Sequence, residues 1–137
     1  MDNNRDKLIR YLKLITCKEF NGRLDLLESK NRGYNTPICR HIIIYIARTE
    51  LKMSNYKAAA IVMRHHTMYN HSIKQINNYC NTDKIFKMKY TNVFNKFKAY
   101  KEHLESIGIN DNESEEEINE ILTGDYKSYK QVIDVII

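Results

Sequence analysis

One proline and four glycines serve the whole 137-residue chain. So few turn formers argue against a β-sandwich and against a Gly-rich phosphate loop, and favour a helical domain. Cysteine is also scarce. Cys17, Cys39 and Cys80 are odd in number, widely spaced and form no CxxC. This leaves a disulfide framework and a zinc finger unsupported, with buried free thiols in a reducing compartment as the simplest account. The longest apolar run, "IIIYIA" at 42–47, is far too short to span a membrane. Charges interrupt the N-terminal "MDNNRDKLIRYLKLIT", so it does not read as a signal peptide and a cytoplasmic location is expected. GxxxxGK[ST] occurs nowhere, which argues against ATP-driven motor work of that kind.

What is present is a globular composition, 42% apolar and rich in Ile and Tyr, of a size suited to one domain. The net charge of +5 conceals a division. Residues 1–105 hold 20 Lys and Arg against 9 Asp and Glu, a net +11; residues 106–137 hold 2 against 8, a net −6. The reading is a basic helical domain at 1–105 with an acidic C-terminal extension at 106–137, and a basic body suits a polyanionic partner.

Helical spacing organises the body. Leu8, Tyr11, Leu12 and Ile15 predict a helix over about 4–18, broken by Asn21-Gly22. "LDLLESK" predicts a short helix, and "NRGYNTP" a loop. Pro37 opens a third helix, reaching about Lys52, with "IIIYIA" as its buried middle. Ser54 caps a fourth, Ala-rich helix, and a turn near Met63 leads to a fifth over about 65–79. Thr82 and Asp83 begin a sixth, whose apolar face is read as Ile85, Phe86, Tyr90, Val93, Phe94 and Phe97. In the extension, Ser114 and Glu117 form a capping-box pattern before "INEIL". "YKSYKQVIDVII" fits a helix or a strand.

The chemistry concentrates in "VMRHHTMYNHSIKQI", Val62–Ile76. A metal site is disfavoured because His66 and His71 are five apart, and ligands sharing one helix face sit three or four apart. No nucleophile, base and orienting acid come together here, so no enzyme and no cofactor are expected. Two short helices joined by a turn, with Arg64, His65, His66, Thr67 and Met68 at the start of the second, are the layout of a helix-turn-helix at about 54–79. Thr67 and His66 suit base edges, and Arg64 suits a phosphate.

"RHHTMYNHSIKQI" resembles the signature RDHTTVxHAxxKI of the C-terminal DNA-binding domain of the replication initiator DnaA. "LDLLESKNR" and "RHIIIYIARTEL" are similar to stretches upstream of that signature, in the same order. The resemblance implies an all-α, compact fold related to the Trp repressor, and sequence-selective binding of double-stranded, A·T-rich DNA in replication control or transcription. It implies base contacts by His66 and Thr67, a backbone contact by Arg64, a minor-groove contact by Arg32 of the basic loop and a phosphate contact by Arg48. Lys30 beside Arg32, Ser54, His65 and Met68 are counted on the same DNA face. Arg40 either joins that face or covers the helix start. His71 matches a histidine on the inner side of the family helix and is expected to be structural. His65 replaces the signature Asp, Met68 its second Thr, and Val62-Met63 its Gly-Gly, so base preference should differ from the family's.

The rival reading is a protein-interaction module with a degraded DNA face that binds a replication partner. DNA binding requires Arg32, Arg48, Lys52, Arg64 and the start of the fifth helix to share one basic face. The acidic stretch 111–120 is expected either to compete with DNA or to lead into elements docked on the sixth helix.

Overall fold

The structure, a computed structural model, describes residues 3–33 and 35–106. Those residues form five α-helices and no strand: α1 (Asn3–Phe20), α2 (Thr36–Glu50), α3 (Asn55–Ala60), α4 (Met68–Thr82) and α5 (Lys84–Ser106). The fold is all-α, as the sequence implies. The acidic stretch, "INEIL" and "YKSYKQVIDVII" lie outside the described residues.

α2 is the central element and packs on α1, α3 and α4; α5 closes across α1 and α4. Ile42, Ile43, Ile44, Ile46 and Ala47 have no exposed surface, so the β-branched run is a buried helix. Burying each such side chain contributes about 1.5–3 kcal/mol, which outweighs the small helix-propensity cost of branching. Ala58 and Ala59 are equally buried, and their small side chains let the six-residue α3 approach α2 closely. Tyr11 of α1 meets Tyr100 of α5 with ring centroids 4.5 Å apart.

The helix ends follow local chemistry. Asn21 takes a left-handed φ of 56°, and the Gly22 amide caps Cys17 O at 2.9 Å, which stops α1. Asn35, also left-handed at φ 58°, donates from Nδ2 to Phe20 O at 2.7 Å and so ties the end of α1 to the start of α2. Pro37 sits in the first turn of α2. Ser54 Oγ accepts from Lys57 N at 3.2 Å and caps α3. Asp83 Oδ1 accepts from the Ile85 and Phe86 amides and starts α5.

Three expectations are corrected. "LDLLESK" makes only a three-residue 3-10 turn, Leu24–Leu26. Its carbonyls are taken by a side chain described below, so a longer helix gains nothing. α4 begins at Met68, not His65, and runs on to Thr82. Ile85 is 64% exposed, because it lies about 100° around the helix from the buried Phe86.

Candidate nucleic-acid interface

Two irregular segments approach each other beside the start of α2. The first is the loop 27–33 before α2. The second is the turn Ile61–Thr67 between α3 and α4. Met63 makes the corner at φ 56°, a conformation suited to glycine and costing a methionine roughly 1–2 kcal/mol. The Arg64 amide then donates to Ala59 O at 2.9 Å, and the Met68 amide to His65 O at 2.9 Å, where α4 starts. Arg64, His65, His66 and Thr67 therefore stand on the turn, not on the helix.

A groove of about 640 Å³ opens between the two segments. Lys30 and Arg32 line it from the loop, Arg64 and His65 from the turn, and His71 from α4. Arg40 and His41 of α2 form its floor, and among the described residues no carboxylate lines it. Lys30 and Arg32 are exposed and make no hydrogen bond or ion pair among the described residues. Cations gathered without an acid repel one another, and the site is therefore complementary to an anion.

Arg40 does not reach outward. It is 2% exposed, and its guanidinium donates to Leu27 O, Leu26 O and Ser29 O at 2.9, 3.0 and 2.6 Å. Of its two sequence readings, the structure supports the one internal to the fold. Burial first, then the neighbouring Arg64 and Arg32, pulls Arg40 below the ordinary guanidinium value. His71, expected inside, is exposed and lines the groove. The inner histidine is His41, half-buried, with Nδ1 3.0 Å from Ser72 Oγ. Ser72 donates its hydrogen to Met68 O at 3.0 Å, so His41 must donate from Nδ1. Burial, then His71 and Arg40, lowers the His41 pKa.

The remaining predicted residues divide. Met68 is half-buried, packs against the core and also lines the groove. Thr67, Asn70, His71 and Lys74 are all exposed, and their spacing of three, one and three makes one polar stripe along α4. His66 is half-buried and stacked between Tyr56 and His65, with ring centroids 4.2 Å from each. Its Nδ1 is buried with no hydrogen-bond partner among the described residues. Arg48 is half-buried, donates to Asn55 Oδ1 at 2.7 Å and lies 5.5 Å over the Tyr69 ring. With the exposed Ser54 and Tyr56 it forms a shoulder near the start of α3, outside the groove. Lys52 belongs to a different cleft, with Glu50, Lys101 and Glu105. The single face required of the arginines and Lys52 is thus only partly realised.

His65 Nδ1 lies 3.0 Å from Thr67 Oγ1 and 3.4 Å from the Thr67 amide, so the two exposed side chains are held together at the start of the stripe. Sequence reasoning missed Tyr56 and the outward turn of His71. The second was available, since His71 lies four residues after Thr67 on one helix face. Tyr56 carried no signal before its 68% exposure and its stacking were known.

Comparison with known proteins gives one kind of match. The chain is 34% identical over 83 residues to the chromosomal replication initiator protein DnaA of Campylobacter concisus. It is 31% identical to that of Campylobacter jejuni subsp. doylei over 83 residues, and to that of Campylobacter jejuni subsp. jejuni over 87. Each match covers 60% of this chain, which spans about a fifth (19%) of the relatives' length. No family model and no solved structure matches the chain. Among the described residues, no helix is long and apolar enough to cross a membrane.

Proposed function

We propose that this protein binds double-stranded DNA sequence-selectively, with α3 and α4 acting as a helix-turn-helix, in replication control or transcription. The observation that carries the reading is the groove between the Lys30–Arg32 loop and the Arg64–Thr67 turn, free of carboxylates among the described residues, beside the polar stripe of α4. The stripe lies along α4, the second helix of the pair and the one that would enter the major groove, and the loop presents Arg32 as a guanidinium for an adjacent minor groove. Likeness to replication initiators over 60% of the chain supports the same reading. The narrow, electronegative minor groove of an A·T run would attract the exposed Arg32 guanidinium, which favours an A·T-rich site.

Selection from random duplex DNA, followed by sequencing of the bound pool, tests the proposal. Enrichment of one motif containing an A·T run is expected. An unenriched pool would replace DNA reading with the interaction module, whose partner would be a replication protein. On the DNA reading, Thr67→Ala and His71→Ala each lower affinity for the selected site by about 1–3 kcal/mol per base edge no longer read, and leave random-DNA binding nearly unchanged.

A further inference from the structure

We infer that Arg40 is a positioning residue for DNA recognition: with Arg64 it fixes the loop bearing Lys30 and Arg32 against the turn bearing His65 and Thr67. The inference rests on the DNA reading and assigns a role to a residue that cannot itself reach the ligand.

The geometry is a shared acceptor. Ser29 O accepts at 2.6 Å from Arg40 Nη2, which comes from α2, and at 2.6 Å from Arg64 Nη2, which comes from the turn. Arg64 Nη1 also donates to the Val62 and Met63 carbonyls, both at 3.2 Å, and so braces the corner of its own turn. Arg40 holds Leu26 O and Leu27 O as well, the carbonyls that a longer helix would have used. The loop is braced from within. Ser29 Oγ donates to Leu26 O at 2.7 Å and accepts from the Asn31 amide at 3.1 Å, and Asn31 Oδ1 accepts from the Gly33 amide at 2.7 Å. Every one of these bonds acts on backbone, and the outward side chains of Lys30 and Arg32 take no part.

This arrangement separates two jobs. Arg40 and Arg64 are drawn together by one carbonyl against their mutual repulsion, while the loop's own cations remain free for an external anion. A ligand that needs a minor-groove contact and a major-groove contact at a set spacing gains from such rigidity, because less freedom is given up on binding. Only a guanidinium can do this. Its planar fork reaches three carbonyls from a buried position, whereas a lysine offers one nitrogen.

The test is a double-mutant cycle between Arg40→Lys and Arg32→Ala on A·T-flanked and G·C-flanked duplexes, with amide hydrogen exchange on the free proteins. Arg32→Ala alone is expected to weaken A·T-flanked binding by about tenfold. In the Arg40→Lys background the same change should cost about twofold or less, the preference for A·T flanks should vanish, and the Gly33 amide should exchange faster. Arg40→Gln, which keeps one side-chain donor but loses the fork, is the second variant and gives the same result should Arg40→Lys not fold. An undiminished Arg32→Ala effect in the braceless variants, or unchanged Gly33 exchange, overturns the inference. If the unmodified protein binds no duplex, the DNA reading itself falls, and the exchange data still decide whether Arg40 holds the loop.

Discussion

The two ends of α2 carry similar numbers of cations and use them in opposite ways. At its start, Lys30, Arg32, Arg64 and His71 surround a groove with no carboxylate among the described residues of its lining. At its end, 15 residues and about 20 Å away, Lys52, Lys101 and Arg5 share a cleft with Glu50 and Glu105. There Lys98 pairs with Glu50 at 3.5 Å, Lys101 donates to Glu50 O at 3.3 Å, and Arg5 donates to Leu51 O at 3.3 Å. The second end consumes its charge in holding α1, α2 and α5 together. The first spends Arg64 on the Val62, Met63 and Ser29 carbonyls but leaves Lys30 and Arg32 for something outside. Positive charge alone does not mark a binding site; the company it keeps does.

The largest expected effect tests that contrast directly. Arg32→Ala combined with Lys30→Ala should lower duplex affinity by about 100-fold near 0.1 M salt and reduce the slope of log K against log salt by about 2. Lys52→Ala, at the other end, should leave both within about twofold. Equal losses at the two ends would erase the distinction. Titrations across a salt series measure both quantities.

Next comes stability against pH. His41 is held neutral in the fold, with its pKa below the ordinary value near 6.5, by burial and then by His71 and Arg40. The unfolded chain therefore binds a proton more readily. The stability this provides is present above about pH 6.5 and is lost as pH falls from there toward the folded value. Tm should fall over that window, and His41→Gln should flatten the fall. An equally steep fall in the variant would place the titrating group elsewhere.

Smallest is Met63→Gly. It relieves the left-handed corner of the turn but adds freedom to the unfolded chain, so the net gain should be at most about 1 kcal/mol. The side chain is 64% exposed, so little packing is removed. A destabilisation of about 1 kcal/mol or more in urea would show that Met63 packs well enough to outweigh its strain.

Much of this fold was legible because its signals are local. Pro37, Ser54, Asp83 and Asn21-Gly22 act on their own neighbours, and the breaks and caps fall where the sequence puts them. The failures share a cause. "LDLLESK" has helical spacing, but Arg40, 13 residues or more away, takes its carbonyls. α4 starts three residues later than its helical spacing implies because Arg64–Thr67 fold back on the turn. The resemblance places His71 inside and nothing local marks His41, since which face of α4 meets α2 is a tertiary fact. The groove itself is a meeting of loop 27–33 with a turn some 30 residues later, and no local pattern shows it.

The most direct measurement of the central claim is a map of backbone amide shifts as an A·T-rich duplex is added to the labelled protein. The account predicts the largest changes at Ser29–Gly33, at Met63–Thr67 and along Asn70, His71 and Lys74, with the cleft around Leu51, Lys101 and Leu104 quiet. Changes centred on that cleft, or none anywhere at saturating duplex, would contradict it.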